Sequence, residues 1–418
     1  MHQTHNRNTV RYFLLIAILL GFLFFTTDFG LIDIQKTAII LAAGVDRDGE
    51  DFIITSQIAI PKSSDQGKST SAVQIVSRGK TVAEAFEEIN AKTGWYPKLV
   101  FCNLILLGEE TTNQNVFDAL DYFLLDEYLS DNCLVAACDG QAKDLLNASA
   151  LVDDASSAAI QKVLSQHAER VGTVFPSTLR TFSMDYYASN ACGTLPLVKL
   201  QNQQEPDGAT KPNSNRQNEG EQSGQGRQAQ NKQNDSSQKP NGKSDETQNK
   251  PVFSASETAL FKHGKRVGTL TAEETFAANA VLSKLRLAPY SVSTNNTTCT
   301  LTIKQNAPKV NLKVAKNGMA SLKIELDLTA GLLDYAKALP AEQVEDAGDV
   351  PSGAFDAAQK KLAGEILALF EKTRALDCDI FRIRDRLRKT GNAHYSQYES
   401  TLLSNTVAEV RVHIKNIR

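Results

Sequence analysis

Residues 37–60 read TAIILAAGVDRDGEDFIITSQIAI. Two apolar runs, TAIILAAGV and DFIITSQIAI, are divided at Asp46, Arg47, Asp48 and Gly49. Asp bonds its neighbouring backbone and Gly enters positive φ at little cost, so the segment predicts a β-hairpin. Helix and strand signals then alternate. Thr81 and Glu84 form a T-x-x-E capping box, and Val82, Ala85, Phe86 and Ile89 recur on one helical face. Residues 99–108, LVFCNLILLG, predict a buried strand, and Val116, Leu120, Phe123 and Leu124 a second helix. Another strand is expected at 133–138 and a mostly helical stretch at 144–164. Residues 36–200 are thus expected to form a mixed α/β domain.

Upstream, His2, His5, Arg7 and Arg11 precede an uncharged run, YFLLIAILLGFLFFTT, at 12–27. At ~1.5 Å per residue the run covers about 24 Å, and through Phe29, Leu31 and Ile32 it reaches ~30 Å, the thickness of a bilayer core. The expectation is a cytoplasmic N-terminus at 1–11 and a transmembrane anchor at 12–32, the basic residues staying inside. A cleaved signal peptide is the competing reading, but no A-x-A junction follows Phe25.

Downstream, residues 201–251 contain no aromatic residue, Leu, Ile or Val. Nothing there offsets the entropy of ordering, so a disordered polar linker between two domains is expected. Beyond it, Leu322, Ile324, Leu326 and Leu328 alternate with Lys323, Glu325 and Asp327, and Val410, Val412 and Ile414 repeat the pattern. Such strands bury one face and wet the other. Phe355, Ala358, Leu362, Ile366, Leu369 and Phe370 form a helical stripe opening after Ser352, a plausible N-cap. Residues 252–418 therefore predict a C-terminal α+β part, an antiparallel sheet with long helices on one face. The whole is expected to be a two-part mixed α/β and α+β ectodomain behind one transmembrane helix, since 418 residues exceed one ordinary core.

The net charge of −3 gives no reason to expect a nucleic-acid partner. Six cysteines, Cys102, Cys133, Cys138, Cys192, Cys299 and Cys378, include no CxxC pair and read as buried thiols in a fold without disulfides. A Cys133–Cys138 pair is disfavoured, because an offset of five on a strand points to opposite faces. The six histidines never form HxxxH or HExxH, and no nucleophile elbow, phosphate loop or dinucleotide fingerprint occurs. No catalytic, cofactor-binding or metal residue is therefore expected.

Asp377 and Asp379, flanking Cys378, read either as helix caps or as paired carboxylates. In DIFRIRDRLRKTG, Arg382, Arg384, Arg386, Arg388 and Lys389 gather against Asp379 and Asp385, with Ile380, Ile383 and Leu387 as an apolar stripe. That predicts a helix with a basic outer face. The face is either solvated or, through Arg382, Arg386 and Lys389, meets an acidic partner or lipid headgroups.

The ordered motifs resemble the Ger(x)C spore-germination proteins. KTAIILAAGVDRDGEDFIITSQIAIP, SRGKTVAEAFEEI, LVFCNLILLGEE, FLLDEYLSDNCLVAACDGQAKDLL, ALFKHGKRVGTLTAEET, LKIELDLTAGLLDY, LDCDIFRIRDRLRKTG and VAEVRVHIKN follow one another in the family's order. The resemblance implies a non-catalytic C subunit of a nutrient germinant receptor, on the outer face of the spore's inner membrane. Its partners would be A-type and B-type membrane subunits and membrane lipid. Two departures stand out. The family's lipobox cysteine is missing, so the apolar segment would replace the lipid, and Arg382 and Arg384 stand where the family tends to place glycines. Two other function classes stay open: an envelope enzyme built from dispersed carboxylates such as Asp46, Asp126 and Asp379, and a free-standing ligand-binding protein.

Overall fold

The computed structural model describes residues 11–21, 37–60, 71–201, 252–337, 353–389 and 395–416, apart from 150–152, 154, 167, 284, 295, 296 and 316. Residues 11–21 form an exposed helix, α1. The rest of the expected span at 12–32 lies outside the described residues. Among those described, no helix is long and apolar enough to cross a membrane.

Strands β1 (Thr37–Asp48) and β2 (Asp51–Ile60) form the expected hairpin, with Gly49 at φ 64° in its turn. Strand β3 (Ser71–Gly79) pairs antiparallel with β2. Helix α2 (Val82–Thr93) starts where Thr81 Oγ1 accepts the Glu84 N–H at 3.1 Å, and the Glu84 carboxylate accepts the Lys80 N–H at 2.7 Å. The box thus closes one residue earlier than its motif implies. Then come β4 (Tyr96–Lys98), β5 (Leu104–Leu107), α3 (Glu109–Thr112), α4 (Phe117–Leu125) and β6 (Leu134–Cys138). They are followed by α5 (Ala142–Asn147), α6 (Ser156–Gln161), a π-turn (Lys162–Gln166), α7 (Ala168–Val171), α8 (Leu179–Tyr186) and β7 (Cys192–Gln201). Strand β5 is shorter than the run 99–108, because the chain turns at Leu99, whose carbonyl accepts the Cys102 N–H.

Strands β1, β5, β6 and β7 are mutually parallel at the centre of the first sheet. A parallel centre is covered on both faces, which is why β5 reads LILL without alternation. Ile105 and Leu107 face a core with Phe86, Phe117, Phe123 and Phe182 of α2, α4 and α8. Leu104 and Leu106 face a second core with Leu145, Leu146 and Ile160 of α5 and α6.

The linker does not separate the two sheets. Strands β8 (Val252–Lys262) and β9 (Lys265–Leu270) extend the first sheet to the order β3-β2-β1-β5-β6-β7-β8-β9, with β4 beside β1. Gln201 and Val252 are paired partners of β7 and β8, so residues 202–251 are the loop of a hairpin. Those loop residues lie outside the described ones. The boundary between sheets falls after Leu270, a place the composition does not mark.

Helix α9 (Ala272–Leu282) follows, with Thr271 and Glu274 as a reciprocal capping box. Strands β10 (Ala288–Ser293), β11 (Thr297–Val314), β12 (Ala320–Lys337) and β13 (Thr406–Asn416) form the second sheet in that order. Helices α10 (Ala354–Ala375), α11 (Ile383–Lys389) and α12 (Tyr395–Tyr398) intervene before β13. The sheet is not wholly antiparallel as expected: β13 runs parallel to β12. Alternation records which face is buried, not strand direction, and the long helix α10 supplies the crossover that a parallel pair needs. Gly353, at φ 79°, is the N-cap of α10, without a side-chain cap bond. Ser352 lies outside the described residues.

Cys192 at the start of β7 and Cys378 after α10 form a disulfide. The expectation of six thiols is therefore corrected: Cys102, Cys133, Cys138 and Cys299 are free and buried, whereas the pair 186 residues apart joins the two sheets. Lys372 of α10 pairs with Glu274 of α9 at 2.6 Å, and Cys192, Leu260 and Leu270 of the first sheet share one core with α9, α10 and the second sheet.

Candidate functional site

The segment 377–389 is organised by Asp379. Its buried carboxylate accepts the N–H groups of Ile383 and Arg384 at 2.8 and 2.9 Å and closes the first turn of α11. Burial raises its pKa, against the lowering effect of those two bonds. Asp379 is thus a cap rather than half of a catalytic pair. Asp377 instead takes Arg384 Nη2 at 2.6 Å and pairs with Lys262 of β8.

The basic residues do not share an outer face. Arg384 is buried, its Nε donating to the Glu399 carbonyl at 3.1 Å. Arg386 turns inward, Nε donating to the Phe381 carbonyl at 3.1 Å and Nη1 to the Val310 carbonyl at 3.2 Å. Arg388 and Lys389 are exposed, and both reach Asp385, at 3.2 and 2.6 Å. Arg382 pairs with Asp185 of α8 across the seam. The expected helix began near Ile380, but α11 starts only at Ile383, after Arg382 takes the left-handed φ of 55°. With that displaced start Arg384 and Arg386 turn inward while Arg382 and Arg388 stay exposed.

Of the three expected contact residues, Arg382 and Arg386 come together in a pocket of about 390 Å³, and Lys389 stands apart from it. Phe175, Pro176, Ser177, Thr181 and Asp185 line it from around α8, and Asn190, Cys192 and Thr194 from β7 and the turn before it. The end of α9 contributes Val281, Leu282 and Ser283, and the turn into α11 contributes Ile380 and Phe381. Strand β7 of the first sheet and the segments at the ends of α9 and before α11 therefore build its wall, with Cys192 of the disulfide in it.

Burial raises the Asp185 pKa, while the Arg382 guanidinium opposes that rise. Burial also weakens the hold of Arg386 on its proton. Asn190 is buried and donates Nδ2 to the Asp379 carbonyl at 3.0 Å, which leaves its Oδ1 without a hydrogen-bond partner. A buried amide oxygen left unpaired costs free energy of order 1–3 kcal/mol. The pocket has a cation, a salt-bridged carboxylate, the buried Asn190 amide and apolar walls. The Thr181 hydroxyl in its wall donates to the Thr178 carbonyl at 3.1 Å and lies 3.5 Å from the Ser177 hydroxyl.

The dispersed carboxylates do not converge. The Asp46 carboxylate accepts the Ala142 and Lys143 N–H groups at 2.8 and 3.0 Å, starting α5, and Asp126 accepts those of Tyr128 and Leu129. Each serves local backbone, as Asp379 does. Among the described residues no group of His, Cys, Asp and Glu is placed to hold a metal ion.

Sequence reasoning missed Asp185, Asn190 and Cys192. The Cys192–Cys378 pair carries no spacing signal, and Asp185 and Asn190 sit in a segment without a motif.

Two family profiles cover most of the chain. Residues 31–200 match one described as the spore germination protein N-terminal domain, and residues 256–418 one described as spore germination B3/GerAC like, C-terminal. No curated protein matches the chain. The structure titled "Crystal Structure of the GerBC protein" is similar over 90% of this chain and 97% of that one, with a TM-score of 0.50 and 16% identity. At that identity the likeness concerns the mixed α/β fold alone. On both profiles, the chain belongs to the Ger(x)C family of spore germination proteins.

Proposed function

We propose that this chain works without catalysis as the C subunit of a nutrient germinant receptor, docked to A-type and B-type membrane subunits. The observation that carries the reading is the family match on both sides of the hairpin loop, since it includes both sheets that line the seam. The apolar run at 12–27 holds the ectodomain on the outer face of the inner spore membrane, in place of the family's acylated cysteine. The capped, locally engaged carboxylates favour work through surfaces over work through chemistry.

Deleting the gene in the parent spore-former should abolish one nutrient response and leave non-receptor germination intact. The protein should co-purify with A- and B-type subunits in mild detergent. Normal nutrient germination in a deletion strain without a redundant receptor would overturn the assignment.

One observation favours a second reading, in which the subunit itself holds a small polar ligand. Arg382, Arg386 and Asn190 line a pocket within the usual size range for small ligands. A panel of small carboxylates that leaves the melting temperature unchanged would remove this reading and leave docking in place.

A further inference from the structure

Six large apolar side chains at one end of the first sheet are exposed: Trp95, Tyr96, Val100, Phe101, Leu125 and Tyr128, between 39% and 82% accessible. All lie in or beside connections that lead into the starts of the parallel strands. Trp95 and Tyr96 open β4, Val100 and Phe101 lie in the turn before β5, and Leu125 and Tyr128 lie between α4 and β6. Lys98 Nζ stands 4.9 Å from the centre of the Tyr128 ring and draws that loop to β4.

This is the end at which β1 begins. Strand β4 pairs in parallel with the first residues of β1, Tyr96 opposite Thr37 and Lys98 opposite Ile39. Trp95 therefore precedes the pair on the side from which the chain arrives. The apolar run reaches Ile32, and five peptide steps to Thr37 span at most about 17 Å. If that run crosses the bilayer, the aromatic end of the sheet stands at its surface.

We infer that this end rests on the lipid, with Trp95, Tyr96, Phe101 and Tyr128 seated in the headgroup region. Tryptophan and tyrosine favour that region because each has an apolar ring and a polar tip. Lys98, with its ammonium over the Tyr128 ring, is a side chain long enough to reach from such a surface toward water. Glu127 is exposed beside Tyr128, so ring burial holds the contact rather than attraction to anionic lipid. The inference rests on the anchor reading above.

Trp95 is the chain's single tryptophan, so its emission reports on this face alone. The full chain, reconstituted in phosphatidylcholine vesicles, is compared with the same vesicles made from lipid brominated near the headgroup. A ring seated ~5–10 Å into the boundary should lose roughly half its emission there. It should lose less to lipid brominated at the acyl ends. Tyr96→Ser with Phe101→Ser should abolish the quenching while the protein still floats with the vesicles and melts as the parent does.

Flotation without quenching of the parent would overturn the lipid contact and leave the anchor standing. So would emission shielded from soluble iodide only when the A- and B-type subunits are present, which would give this face to a protein partner. Failure to float would remove the anchor reading and this inference together.

Discussion

In the first sheet the central strands β1, β5 and β6 are covered by helices on both faces, whereas in the second α9 and α10 cover one face and Lys309, Lys323, Glu325, Asp327, Glu409 and Arg411 occupy the other. The two arrangements leave different surfaces for work. A sheet buried on both faces can present only its ends, its edges and its seam, and there stand the aromatic end and the pocket. The second sheet presents a broad face of surface ion pairs, which contribute only ~0–1 kcal/mol each. Its recognisable chemistry lies instead at the seam, where the turn into α11 meets α8.

The comparison can be broken most forcefully in the doubly covered core. Leu106→Ala should cost about 2–5 kcal/mol in chemical denaturation, since Leu106 is fully buried and cavities there collapse poorly. Lys323→Ala on the wet face should change stability by less than ~0.5 kcal/mol. Equal losses at the two sites would mean that the faces differ less than their burial indicates.

The seam gives the next effect. Cys192→Ala with Cys378→Ala should lower stability by about 2–4 kcal/mol, because a long loop is then unconstrained in the unfolded chain. A melting profile that splits in two would show the sheets unfolding separately once unlinked, and an unmoved profile would show that the shared core alone couples them.

A smaller effect tests the cap of α11. Asp379→Ala should cost about 1–2 kcal/mol by leaving two N–H groups unpaired, and Asp379→Asn less, since an amide oxygen still accepts one. The folded pKa of Asp379 lies above its ordinary value, so the native state holds the proton more tightly. Its contribution is present below the unfolded pKa of 3.8 and declines as pH rises through the folded one. Measured against the parent, Asp379→Asn should therefore gain ground as pH rises above about 4. A constant difference across that range would mean that Asp379 titrates as it does in the unfolded chain.

A further effect at the seam concerns Arg382, whose backbone is left-handed at φ 55°. Arg382→Ala and Arg382→Gly both lose the pair with Asp185, but only glycine relieves the backbone. Glycine should be the more stable by about 1 kcal/mol. The opposite order would show that this turn relaxes when its side chain is removed.

Much of the local architecture is legible in the sequence. The turn at Asp46–Gly49, the cap at Thr81 and the stripe of α10 depend on neighbouring residues, and those are written in order along the chain. What depends on distant partners is not. The disulfide joins residues 186 apart, and β13 chooses β12 as a parallel partner without any change in its alternation. The composition break at 201–251 suggests a domain boundary, yet β8 and β9 return to the first sheet. In the site, Arg382 and Arg386 stand out as charges, but their direction depends on a helix start set by Asp379 and one left-handed residue. Asn190 gives no signal until its oxygen is seen without a partner.

Because Gln201 and Val252 are paired neighbours, the two ends of the polar interval between them are set by the register of β7 and β8. Closing it costs only ~0.6 kcal/mol more for each doubling, which makes the interval 202–251 a natural place to splice in a reporter or an affinity handle. A cleavage site engineered there would not yield two independent halves. It would leave a two-chain molecule, zipped along β7 and β8 and tied by Cys192 and Cys378, that migrates as one species even when denatured until the bond is reduced.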